Sequence, residues 1–212
     1  MIEIQTSESV QQRMEFARGY LALVKKCLDA LSLEQVAKVM DCLERAYRDE
    51  AQVFIIGNGG SAATASHMAC DLAKNVLPRE GGACSRSFRV LALTDNVSWT
   101  TALANDLGYE HIFSEQLRSI VREGDWVIAI SGSGNSPNVV EGVRMAKALG
   151  AKTLGILGFD GGRVKELVDA HVIVEDFNYE CVEDVHMILS HLLTSYLRRT
   201  ISLGVRETAQ SV

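Results

Sequence analysis

At 212 residues, 47% of them hydrophobic and 23% charged, the chain is long enough to bury one real core and ordinary enough in composition to be globular. A net charge of −6 with no Lys/Arg cluster argues against a nucleic-acid surface, so an anionic ligand must be held by local dipoles and hydroxyls. No apolar run approaches membrane-spanning length, and residues 1–12 are polar and acidic, unlike a signal peptide; the expectation is a cytoplasmic protein that engages no membrane.

Residues 7–49 read as helical, with Met14, Leu21, Val24 and Leu28, then Leu31, Val36, Val39, Met40, Leu43 and Ala46 at helical spacing. Ser32, with Glu34 close behind, marks a break and restart. With no strand signal before residue 50, the expectation is a helical arm over 1–50 that serves oligomerisation. An α/β domain over 51–200 and a polar, fraying tail over 201–212 follow it. The scattered cysteines Cys27, Cys42, Cys70, Cys84 and Cys181 show no CxxC spacing and read as structural thiols.

From residue 53 onward strand and helix patterns alternate. Apolar runs at 53–56, 88–93, 126–130, 153–157 and 172–174 predict five strands buried on both faces, as in a parallel sheet. Between them lie helices at 61–75, 97–121 (broken near Gly108), 136–149 and 162–169, with a loop at 78–87 and a last helix at 179–200. This is a doubly wound α/β fold with a five-stranded parallel sheet, in which ligands gather at the carboxyl ends of the strands.

The strand ends are therefore where chemistry is expected. After the first strand comes Gly57-Asn58-Gly59-Gly60-Ser61, a glycine turn that hands a strand to a helix and leaves bare N–H groups for an anion. It matches a dinucleotide pattern through Gly57, Gly59 and Ala62, but no acid ends a strand at the required distance. Nor is there a Gly-Lys-Ser/Thr loop, so neither nicotinamide nor nucleotide is expected. After the third strand comes SGSGNSPN, where Ser131, Ser133 and Ser136 cluster ahead of Pro137, a lysine-free way to hold a phosphate monoester. Two such loops in one sheet outweigh the reading of either as an ordinary capped turn.

The helix after the first loop carries His67 and Asp71, about 40° apart around its axis. The last helix carries Glu183, His186 and His191; Glu183 and His191 lie about 80° apart around the axis and read as facing one cavity. Thr94, Asp95, Asn96, Asn105, Asp106 and Asp160 sit at turns and helix starts, where such residues more often cap than catalyse.

The segments GNGGSAATASHMACDL, TALANDLGYEHIFSEQL, SGSGNSPN, GFDGGR and VEDVHMILSHLL together resemble the sugar isomerase (SIS) domain, and more narrowly the phosphoheptose isomerases. The resemblance runs over about residues 40–197. It implies conversion of sedoheptulose 7-phosphate to D-glycero-manno-heptose 7-phosphate through an enediol(ate), for heptose-containing glycans. It also implies a homotetramer with sites formed between subunits. Ser131, Ser133 and Ser136 would hold the phosphate, with Asn58, Gly59, Gly60, Ser61, Asn96 and Glu183 contributing to the substrate site. Asp71 falls at the family's glutamate base and His191 at its histidine acid/base; some members hold zinc at positions that here are His67, Asp71, Glu183 and His191.

Several positions depart from the family pattern. Asp71 is one methylene shorter than the usual Glu, Glu183 replaces a Gln, Gly132 replaces a phosphate-binding Thr, and Asn96 stands where many members have Asp. The resulting set of two histidines and two carboxylates suits a divalent metal such as zinc; the alternative is that the acids simply pair with the histidines. Two rival functions stay open at this point. One is isomerisation of a different phosphosugar; the other is a non-catalytic SIS protein that binds a protein partner such as a replication initiator.

Overall fold

The computed structural model describes residues 7–76 and 86–210. In chain order the elements are α1 (Ser7–Asp29), α2 (Leu33–Arg48), β1 (Gln52–Ile56), α3 (Gly59–Lys74), β2 (Arg89–Ala92), α4 (Val97–Leu107), α5 (Ile112–Ile120), β3 (Trp126–Ser131), α6 (Pro137–Ala148), β4 (Lys152–Gly158), α7 (Gly162–Leu167), β5 (Ala170–Val174) and α8 (Tyr179–Gln210). Cys84 and nearly all of the loop expected at 78–87 lie outside the described residues.

The five strands pair in parallel in the order β2-β1-β3-β4-β5. Chain connections leave β1 and β3 in opposite directions, so a crevice opens between their carboxyl ends, where doubly wound sheets bind ligands. Side chains alternate between two buried layers. Val53 and Ile55 of β1 face a layer that includes α2, α3 and α8, whereas Phe54 and Ile56 face one built from α5, α6 and α7. Burial on both faces explains the near-continuous apolar runs of β1, β3 and β4. The edge strand β2 is the exception and leaves Leu91 54% exposed, whereas β5 at the other edge is largely buried.

The N-terminal helices divide as the sequence suggests, with Ser32 accepting from the Gln35 N–H at 3.3 Å to start α2. Val36, Val39, Leu43 and Ala46 of α2 are built into the sheet's own core. Along α1, Val10, Met14 and Leu21 share one face and stay 44%, 44% and 66% exposed, so an apolar stripe of that helix is left uncovered by the described residues. Gly108, at φ 101, divides α4 from the turn that leads into α5. The last helix runs on to Gln210, past the expected end at residue 200. The polar stretch there contains no proline, and Gly204 alone costs about 1 kcal/mol, too little to stop a long helix. Among the described residues no helix is long and apolar enough to cross a membrane.

Candidate active site

At the end of β3 the chain turns through Gly132, Ser133, Gly134 and Asn135 into Pro137, the first residue of α6. Gly134 has φ 62, and a Cβ there would run into the Gly161 carbonyl, so this position needs glycine. The turn after β4 braces the loop: the Val164 N–H donates to Gly134 O at 3.0 Å, and the Arg163 N–H donates to Asn135 Oδ1 at 3.1 Å. Ser131 Oγ accepts from the Gly134 N–H at 3.1 Å and Ser133 Oγ from the Asn135 N–H at 3.2 Å. Each hydroxyl is thereby oriented as an acceptor by its own loop and keeps its proton to donate outward. Ser136 occupies the N-cap position of α6 but makes no capping bond with its side chain, so its hydroxyl also stays available.

The glycine turn after β1 packs beside this loop. A Cβ on Gly57 would lie 2.8 Å from Ser61 O and 3.0 Å from Ile130 O, which sets how closely the two turns approach. Gly59, at φ 53, opens α3 after Asn58. The Asn58 side chain does not cap α3. Its amide instead pairs reciprocally with that of Asn138 at 2.8 Å and accepts the Tyr109 hydroxyl at 3.0 Å, tying three segments together. Asn58, Ser61, Ser131, Ser133 and Ser136 line a cavity of about 100 Å³ with Tyr179 and Glu183. Among the described residues its lining contains no lysine or arginine. Asn96 is not part of it. Its Oδ1 accepts from the Trp99 N–H at 3.0 Å to start α4, and it borders a separate open groove of about 590 Å³ beside Leu91 and Trp99.

Two turns further along α3 lies a second group. His67 and Asp71 share a face, and α8 brings His191 against them. The two Nε2 atoms are 2.9 Å apart, with the rings edge to face at 5.0 Å between centroids. At that separation one imidazole must donate and the other accept. Asp71 Oδ2 lies 3.4 Å from His67 Nε2 and 3.8 Å from His191 Nε2, while Asp71 Oδ1 accepts from Asn75 Nδ2 at 2.6 Å. The shorter acid therefore reaches both histidines, and Asn75 fixes its orientation. The Asp71 side chain is 12% exposed, against 45% and 54% for His67 and His191, so the group opens to one side.

The donor atoms of His67, Asp71 and His191 all lie within 4.8 Å of one another, close enough to hold a metal ion. Two nitrogens and an oxygen are a donor set that a divalent metal ion accepts. Glu183, expected as a fourth ligand, does not join them. Eight residues of helix separate it from His191, about 12 Å of rise, and its carboxylate packs against the bare backbone of Gly60 at the start of α3. In this structure its carboxylate lines the serine cavity instead. Burial, followed by the charges of Glu180 and Asp184, holds the Glu183 carboxyl above the usual carboxylate range.

Three contributors were missing from the sequence reading: Asn75, Asn138 and Tyr179. Asn75 had a signal, standing four residues after Asp71 on one helix face. Asn138 lay inside the quoted serine motif, while nothing in spacing alone singled out Tyr179.

The SIS domain family profile matches residues 15–158. The phosphoheptose isomerase of a Nitratiruptor species is 37% identical over 156 residues, 74% of this chain and 80% of that protein. The phosphoheptose isomerase of Aquifex aeolicus is 34% identical over 180 residues, 85% of this chain and 92% of that protein. Among solved structures, the phosphoheptose isomerase from Neisseria gonorrhoeae superimposes with a TM-score of 0.78 at 26% identity, covering 89% of this chain and 98% of that one.

Proposed function

Since the chain belongs to the phosphoheptose isomerases of the SIS domain family, we propose that it interconverts sedoheptulose 7-phosphate and D-glycero-manno-heptose 7-phosphate, with the serine cavity holding the phosphate and the His67–Asp71–His191 group acting on the first two carbons. The observation that carries this reading is the spacing of the two groups along α3. From Ser61 at the cavity to His67 in the group is six residues, roughly 9 Å of helix, on the scale of an extended seven-carbon phosphate ester.

The Asp71 carboxylate takes the proton from C1 of the ketose, leaving an enediolate, and returns it to C2 to give the aldose. The His191 imidazole delivers a proton to the O2 oxygen as negative charge develops there and removes the proton from O1 as the aldehyde forms. The second imidazole, His67, supports whichever tautomer His191 needs, since their Nε2 atoms face each other. Phosphate binding at the far end supplies the positioning energy that keeps the two carbons at Asp71. His67, Asp71 and His191 would hold a divalent ion, which when bound supplies carbonyl polarisation.

The half-exposed imidazoles and the bare stripe of α1 along Val10, Met14 and Leu21 support assembly into a homo-oligomer, a tetramer by family resemblance, with neighbouring copies closing the open side of the site. The test is to incubate the purified protein with sedoheptulose 7-phosphate and follow the aldose by NMR, with and without added zinc. Turnover is expected; none under either condition sinks the assignment.

A further inference from the structure

The comb of hydroxyls in the serine loop has a gap. Gly132 lies between Ser131 and Ser133 and offers the cavity nothing but backbone. The structure fills that gap from another element. A Cβ on Gly132 would lie 3.0 Å from Cε1 and 3.1 Å from Cδ1 of Tyr179, so the tyrosine ring stands where a side chain at 132 would go.

That placement is built rather than incidental. Gly158, at the end of β4, also lacks a side chain, and a Cβ there would overlap both Val182 of α8 and the Gly132 carbonyl; the first turn of α8 can therefore sit directly on the serine loop. Asn178 fixes where that turn begins, its Oδ1 accepting from the Cys181 N–H at 2.8 Å while its own N–H donates to Asp176 Oδ1 at 2.8 Å. The Tyr179 ring rests edge-on against Phe159 at 4.8 Å between centroids, and Phe159 in turn packs on Phe177 at 5.0 Å. Phe159 holds φ 54, a left-handed conformation that costs a non-glycine residue on the order of 1–3 kcal/mol, so the surroundings pay to keep this platform in place. Phe159, itself backed by Phe177, orients the ring, and the phenol hydroxyl makes no hydrogen bond to any described residue.

We propose that Tyr179 is a substrate-binding residue whose phenol donates to the phosphate oxygen that Gly132 leaves without a side-chain partner. The inference rests on the reading of the serine cavity as the phosphate site. The chemistry favours it. With no lysine or arginine in the lining, neutral O–H and N–H donors carry the anion, and a phenol is a stronger donor than an aliphatic hydroxyl. A purely structural tyrosine would work equally well as phenylalanine.

The experiment compares wild type with Tyr179→Phe, Tyr179→Ala and the double variant Tyr179→Ala/Gly132→Ser. It uses KM and kcat for sedoheptulose 7-phosphate and, independently of turnover, calorimetric titration with inorganic phosphate. Tyr179→Phe keeps the ring packing, so the expected result is about a tenfold or greater rise in both KM and the phosphate Kd with kcat within a few-fold. Tyr179→Ala should match or exceed that loss, and adding serine at 132 should recover part of it, because the vacated space then holds a hydroxyl. A Tyr179→Phe protein with wild-type KM and phosphate Kd would overturn the proposal. A wild type that binds phosphate but turns over no heptulose would instead overturn the isomerase reading, and the phosphate titration of Tyr179→Phe would still decide the role of the tyrosine.

Discussion

The serine cavity and the His67–Asp71–His191 group sit two turns apart on α3, yet they are built in opposite ways. The serine loop that forms one wall of the cavity is made from residues close in sequence, and its hydroxyls are oriented by N–H groups of that same loop, while Asn58, Tyr179 and Glu183 reach it from other elements. Ser131 and Asn138 are 5% and 1% exposed, and Gly134 permits no substitute. The histidine group joins residues more than a hundred positions apart, and its imidazoles are half exposed and held mainly by each other and by Asp71. The serine loop is neutral and locally fixed; the histidine group is titratable and set by how two helices pack. The division follows from the chemistry, since an unreactive phosphate needs fixed donors whereas proton transfer needs groups that change charge.

The sharpest test of that separation is Asp71→Asn. Asp71 touches Asn75 and the two histidines and nothing in the serine loop, so kcat should fall by about 10²–10⁴ while the inorganic phosphate Kd stays within twofold. Kinetics and calorimetry on the same preparation read both numbers. If phosphate affinity collapses along with kcat, the two regions are one unit and the comparison fails.

A smaller effect should strike both regions together. His186 lies between Glu183 and His191 on α8, fully buried, with neither ring nitrogen hydrogen-bonded at normal geometry among the described residues. Burial pushes its pKa down to about 4, the Leu157 carbonyl offsetting little. The folded state therefore binds fewer protons than the unfolded chain, in which the ordinary value near 6.5 applies. The stability is fully present above pH ~6.5 and is lost as pH falls towards 4, by about 3 kcal/mol over the whole window. Urea unfolding of wild type between pH 7.5 and 4.5 should show this loss, and His186→Gln, which cannot charge, should show a shallower slope. Equal slopes would mean that His186 is not what ties α8 to acid stability.

These examples show why some of the molecule was legible in sequence and some was not. The strands β1, β3 and β4 announced themselves because burial on both faces leaves no polar interruption, and the two glycine-rich turns did so because backbone conformation demands particular residues locally. His67 and Asp71 were a visible pair on one helix face. Their meeting with His191 came from family resemblance, because no local pattern encodes how α3 and α8 pack. Glu183 was placed in the metal set by family resemblance, whereas in the structure its carboxylate packs against Gly60 and lines the serine cavity. Asn96 was expected at the substrate, but its side chain is engaged in starting α4.

Glu183 also provides the smallest and most discriminating test, as the titratable side chain that reaches into the otherwise neutral cavity. Its carboxyl is already held above the ordinary range, by burial first and then by Glu180 and Asp184, and an anion in the cavity must raise it further. Anion binding is therefore strongest while Glu183 is protonated and weakens as pH rises through its titration. Sulfate is a suitable probe because its charge is constant from pH 4.5 to 8, so any change in affinity belongs to the protein. Wild-type sulfate affinity should fall over this range by about 1 kcal/mol more than that of Glu183→Gln, roughly fivefold. All other groups are common to both proteins, and the difference between the two curves cancels their share. Coincident curves would place the Glu183 charge outside the anion's reach and leave the cavity to its hydroxyls alone.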